Sequence, residues 1–184
     1  MGDTLVLDLE TQKSFDEVGG RGNLHLLRVS VAGVYSYEQD LFSTFTEWET
    51  PTLGELLLDA RLIVGFNIKR FDFVVLEPYL KRSLRQLPVL DILEEVEKHL
   101  GHRLSLETLV RATLGEGKTG SGLDAIRYFR DGEIEKLKSY CLADVRLTRD
   151  LYEYGKRHGC VRYQRNQDYY SIPVNWANTR VTPS

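Results

Sequence analysis

The 184-residue chain is poor in the residues that bind soft metals, with two cysteines (Cys141 and Cys160) and four histidines (His25, His99, His102 and His158). Two cysteines make neither a disulfide framework nor a zinc knuckle, and the histidines fall at no metal-binding spacing. A hard, oxygen-seeking cation is then the candidate for any metal chemistry. Long apolar runs are missing too. No stretch is long enough to span a bilayer, and Asp3, Asp8 and Glu10 interrupt the only early apolar run, so no secretory leader is expected. The Met1-Gly2 start has Val6 where a myristoylation signal needs Ser or Thr. A cytoplasmic protein without a membrane partner is expected. There is no excess of basic charge either. A net charge of −3 argues against a general polyanion binder. It does not exclude a nuclease, because acids gathered at a metal site distort the bare count.

What is present suits one globular domain with a sizeable core: 42% hydrophobic and 28% charged residues. Residues 4–9 form a short aliphatic run that reads as a buried strand. A long strand over 24–37 and a shorter one over 40–46 are expected to pair through a turn at Glu38-Gln39. The glycine-rich Gly19–Asn23 segment precedes them. Thr52-x-x-Glu55 after Pro51 reads as a capping box opening a helix to about Ala60. Leu62–Gly65 is a further strand, 69–82 a helix containing Pro78, and 87–90 an edge strand. Helices are predicted over 92–100, 105–114 with Ser105 as N-cap, 122–130 and 133–156. The alternation of 161–165 and 169–172 around Asn166-Gln167-Asp168 predicts a terminal hairpin. This order describes an α/β fold with a mixed sheet, antiparallel early and parallel later.

Four carboxylates occupy positions that a packed framework does not need. Side chains two apart on a strand share a face, so Asp8 and Glu10 project together behind Val6. A strand buried on both sides should be apolar on both, and two acids at its C-terminal end break that pattern. On the last helix, Tyr140 and Asp144 lie one turn apart at the border of an apolar stripe that includes Leu137, Leu147 and Leu151. An unpaired carboxylate there is costly. Asp72 stands just inside a helix start, with Asn67 ahead of it as a possible N-cap. Taken singly, each motif has an ordinary explanation: a hydrated strand end, a surface ion pair, a complement to the helix dipole. Acids in apolar settings repel one another unless a cation sits among them. An oxygen-ligand metal site used on phosphates is therefore predicted.

The motifs in this order resemble the DEDD exonuclease superfamily on the ribonuclease H-like fold, in the branch with tyrosine in the third motif. Asp8 and Glu10 match the first motif, Asn67, Phe71 and Asp72 the second, and Tyr140 and Asp144 the third. The stretch from Leu106-x-x-Leu109 through Thr113-Leu114-Gly115 to Lys118 and the Tyr140-Cys141-x-x-Asp144-Val145 segment look like exonucleases similar to the proofreading domain of family B DNA polymerases. The resemblance covers roughly residues 4–154 and implies a five-stranded mixed sheet flanked by helices; one domain over residues 1–158 is expected, with 159–184 as a hairpin and tail rather than an independent domain. It also implies a 3′-to-5′ exonuclease acting on single-stranded DNA or RNA. Two Mg²⁺ or Mn²⁺ ions would be held by Asp8, Glu10, Asp72 and Asp144, with Tyr140 orienting the attacking water. Thr11, Asn67, Phe71 and Lys118 are candidate substrate contacts. A helicase or polymerase is the kind of partner the family suggests.

A silent nucleic-acid-binding module of the same fold is the main alternative, and an endonuclease is another. Lys69-Arg70 and the Lys81–Arg85 group could supply a basic rim. One further pattern is rejected. Gly115-Glu116-Gly117-Lys118-Thr119-Gly120 fits G-x-G-x-x-G, and Ala112 to Thr119 fits a relaxed P-loop. Both require a preceding strand, whereas 104–114 has helical spacing, with Gly115 as its stop and Ser121-x-x-Asp124 as the next capping box. ATP with Mg²⁺ is accordingly predicted to leave the thermal midpoint of the protein unchanged. A clear upward shift, lost in Lys118→Ala, would restore the nucleotide reading.

Overall fold

The computed structural model describes residues 2–117 and 120–178. In chain order the regular elements are β1 (Thr4–Thr11), β2 (Val29–Ser36), β3 (Leu41–Thr46), α1 (Thr50–Leu58), β4 (Leu62–Gly65), α2 (Asp72–Leu80), β5 (Val89–Asp91), α3 (Ile92–Leu100), α4 (Leu106–Leu114), α5 (Gly122–Arg130), α6 (Ile134–His158), β6 (Cys160–Arg165) and β7 (Asp168–Pro173). The first five strands form one sheet in the order β3-β2-β1-β4-β5. β1 pairs antiparallel with β2 and parallel with β4, so the sheet is mixed and β5 is its edge, as the sequence predicts. Among the described residues, no helix is long and apolar enough to cross a membrane.

The sheet is covered on both faces, which is why β1 is nearly continuous in apolar residues up to Asp8. Leu5, Leu7 and Leu9 face one core with Leu53 and Leu57 of α1 and Phe73 and Leu76 of α2. Val6 faces the other with Val96, Leu109, Val145, Leu147 and Leu151. Each fully buried side chain of this kind stabilises the fold by roughly 1.5–3 kcal/mol. The alternation then carries Asp8 and Glu10 onto the face covered by α6.

Three local expectations are corrected. The strand expected over 24–37 begins only at Val29, because Arg21–Leu26 forms a 3₁₀ turn and Arg28 adopts a left-handed φ of 60°. The Gln12 N–H donates to the Arg28 carbonyl at 2.9 Å, which closes residues 12–28 into a loop at the end of β1. The capping box is Thr46 with Glu49 rather than Thr52 with Glu55, and a 3₁₀ turn over Glu47–Glu49 leads into α1. The helix expected from 69 starts at Asp72, and Asn67 is not its N-cap; that position is Phe71. Elsewhere the signals hold. Ser105 Oγ accepts from the Thr108 N–H at 3.1 Å. Asn166 and Gln167 take φ of 51° and 73°, the left-handed pair that a two-residue hairpin turn requires.

The terminal hairpin packs back onto the helices. Val161, Ile172 and Trp176 join the α6-side core. Trp176 lies against Gly155, where even a methyl group would collide with the indole.

One close approach sets the geometry of the α6 face. Gly33 is the cross-strand partner of Asp8. A Cβ on Gly33 would stand 2.9 Å from Val145 Cγ2 and 3.0 Å from Cys141 Sγ, so α6 rests directly on the strand backbone there. Gly33→Ala is predicted to destabilise the protein by about 1–3 kcal/mol through overpacking, measurable by urea unfolding. An unchanged midpoint would show that α6 has slack at this point.

Candidate active site

The acids converge where β1 ends under α6. One carboxylate oxygen each from Asp8, Glu10 and Asp144 lies within 4.8 Å of the others. Glu10 and Asp144 are only 8% and 4% exposed. Strand alternation supplies the first two acids. The helix supplies the third because Cys141, one turn before Val145, seats its thiol against the Asp8 carbonyl at 3.6 Å. At such a separation two ionised carboxylates repel by roughly 3 kcal/mol at an effective dielectric constant near 20. A divalent cation among them converts that repulsion into attraction. Three hard oxygen donors suit Mg²⁺ or Mn²⁺, so the residues present fit the implied metal.

Asp72, the first residue of α2, meets β1 beside these acids but does not line the cleft. Its Oδ1 accepts the Leu9 N–H, the amide between Asp8 and Glu10, at 3.1 Å. It is not one of the three converging carboxylates. Burial, and then the neighbouring charge of Asp8, push its carboxyl well above the ordinary range, with Asp91 adding to the effect and the Leu9 N–H opposing it. Tyr140 stands one turn before Asp144. Burial and the charges of Asp144, Glu10 and Asp8 raise its phenol above the usual value, so it keeps its proton and remains a hydrogen-bond donor.

A cleft of about 460 Å³ opens over these groups, lined by Asp8, Glu10, Asp144 and Tyr140 on its floor. The 12–28 loop gives one wall through Lys13, Ser14, Phe15 and Leu27, and the start of α5 gives another through Ser121, Leu123 and Ile126. The two walls are joined where Arg130 Nη2 donates to both carboxylate oxygens of Glu17 at 2.6 Å. The hydrogen bonds of Ser14 and Arg130 lower the Glu17 carboxyl to about 2. Behind the loop, Glu47 accepts from Gln12, Arg28 and Tyr79, tying its ends to the body of the protein.

The other candidates divide. Thr11 and Phe71 line the cleft; Thr11 Oγ1 donates to the Lys13 carbonyl at 2.9 Å, and Phe71 meets Phe15 edge to face at 6.0 Å. Asn67 does not line the cleft, and its side-chain oxygen accepts from Arg103 at 2.6 Å. Lys118 lies outside the described residues. The segment before it is helix α4, ending at Gly115 with φ 75°, which is the context that disqualifies a phosphate-binding loop. Lys13, Phe15 and Leu123 were not legible as cleft residues, since nothing in their spacing tells where a loop folds. Asp91 was missed as well, although an Asp between a strand and an amphipathic helix is an N-cap signal.

A mixed α/β sheet whose central strand delivers paired carboxylates to a cleft completed by a helical Asp is an architecture that could hold a divalent metal there. The family model of the RNase_H superfamily matches residues 5–155. The chain belongs to that superfamily, and membership suggests a nuclease. No curated protein matches it.

The raised carboxyl of Asp72 carries a stability consequence. The native state holds that proton more tightly than the unfolded chain, whose value is near 3.8. Stability of the metal-free protein therefore falls as pH rises from about 3.8 towards the raised native value and stays reduced above it. Asp72→Asn retains an oxygen for the Leu9 N–H and drops the charge. In EDTA it is predicted to melt above wild type at pH 8, with the gap closing towards pH 4; a gap that is the same at both would contradict the assignment.

Proposed function

We propose that this chain is a metal-dependent 3′-to-5′ exonuclease of the tyrosine-type DEDD group, releasing nucleoside 5′-monophosphates from single-stranded DNA or RNA. The observation that carries the reading is the meeting of Asp8, Glu10 and Asp144 within 4.8 Å on the floor of a cleft that Tyr140 also lines. The motif order, with Asp72 entering beside Asp8, supports the same assignment.

Asp8, Glu10 and Asp144 would hold one Mg²⁺ or Mn²⁺, and Asp72 together with Asp8 a second. Bound divalent cations supply the positive charge that an attacking water and a departing 3′ oxygen both need. The protein's own groups do the rest. Tyr140, protonated because its surroundings disfavour the phenolate, orients the water by a hydrogen bond rather than taking its proton. Thr11, Phe15 and Phe71 line the space for the terminal nucleotide, where an aromatic face can stack on a base without reading its sequence. Lys118 is kept as a candidate phosphate contact, and a helicase or polymerase as the kind of partner that would present the strand end.

The test uses 5′-labelled single-stranded DNA and RNA of equal sequence with Mg²⁺, Mn²⁺ or EDTA. A ladder shrinking from the 3′ end is expected in either metal and in neither EDTA control. Asp8→Ala should abolish it, and Tyr140→Phe should lower kcat by about 10²-fold, in the range for loss of a group that handles the proton or positions the water. Strands left intact in every metal, with binding retained, would establish the silent binding module instead.

A further inference from the structure

The geometry points to Asp91 as the residue that positions Asp72 for metal binding, an inference that rests on the exonuclease reading above. Asp91 ends β5, is 3% exposed, and accepts from four backbone N–H groups. Two of them, Leu93 at 3.1 Å and Glu94 at 3.3 Å, both on Oδ1, belong to the first turn of α3. For these Asp91 is an ordinary N-cap. The other two lie on a different element: Asn67 N–H on Oδ1 at 2.9 Å and Lys69 N–H on Oδ2 at 3.1 Å. They belong to the connection that leaves β4 and delivers Asp72.

That connection needs an external hold. Asn67 takes a left-handed φ of 64°, a conformation open to Asn but seldom occupied without support. Its side-chain oxygen is turned to Arg103, 36 residues away in sequence, rather than to its own turn. The Asn67 and Ile68 carbonyls accept from Phe71 and Phe73, so the conformation of the turn sets where α2 begins. Asp72 is the first residue of α2, and its carboxylate meets β1 at the Leu9 N–H. A carboxylate on β5 thus fixes the turn leaving β4, and that turn sets the place of a carboxylate against β1. Asp91 holds the turn with both oxygens, while capping α3 uses only one. A residue kept solely as an N-cap would need no second oxygen.

Asp91→Ser separates the two roles. Serine is a good N-cap for α3 but is too short to reach the 67–69 amides as well. Asp91→Asn keeps Oδ1 for Asn67, Leu93 and Glu94 and turns an amide group towards Lys69. Three readouts are taken on the full chain: Mn²⁺ binding by calorimetry, amide hydrogen exchange, and strand shortening. In Asp91→Ser the Asn67 and Lys69 amides should exchange faster while the α3 amides keep their protection. One class of Mn²⁺ site should weaken by about tenfold, with turnover falling in step, and Asp91→Asn should fall between this variant and wild type. Wild-type Mn²⁺ binding and turnover in Asp91→Ser, despite freed turn amides, would overturn the positioning role and leave the exonuclease reading standing. A wild-type protein that binds no Mn²⁺ and shortens no strand would overturn both.

Discussion

The contact between α6 and the backbone of β2 at Gly33 is the constraint on which the site depends. β1 can present Asp8 and Glu10 by alternation alone, but a third carboxylate reaches them only if a helix lies almost on the sheet. The missing side chain at Gly33 permits this directly opposite Asp8. Cys141 then settles against the Asp8 carbonyl, and Asp144, three residues on, falls beside the strand acids. Bulk at Gly33 would push α6 away from the strand acids, since interiors are packed tightly enough to transmit small displacements.

The carboxylates are held against their own repulsion by the remainder of the fold. Apolar cores on both faces of the sheet supply the stability that buried, mutually repelling acids consume. Backbone amides share the task, the Leu9 N–H holding Asp72 and four others holding Asp91. On the proposed reading, cations bound among these acids would relieve the repulsion, and metal binding would be coupled to stability.

The cleft walls follow a different logic. The 12–28 loop is closed at its base by the Gln12–Arg28 backbone bond and the Glu47 network, and joined to α5 by the exposed Glu17–Arg130 pair. Exposed ion pairs contribute about 0–1 kcal/mol and weaken with salt. The tie between the two walls is therefore much weaker than the bonds that close the base of the loop.

Much of this was legible in the chain because it is local. Alternation in Val6-Leu7-Asp8-Leu9-Glu10 places two acids on one face, and the four-residue spacing of Tyr140 and Asp144 places them on one side of a helix, since backbone geometry alone sets both periods. Helix ends at Ser105, Gly115 and Ser121 were readable for the same reason: caps are made by neighbours in sequence. The loop at 24–28 was misread as strand because its leucines carry β-like hydrophobicity, while the Arg28 turn that redirects the chain is stabilised by Gln12, far away in sequence. What only the tertiary structure decided is distance: that Asp144 closes on Asp8 and Glu10, that Asp72 of α2 docks on an amide of β1, that Asn67 turns to Arg103, and that Asp91 braces a loop from a neighbouring strand. Each of these depends on how far apart packed elements come to rest, a sum over many weak contacts that no short stretch of sequence records.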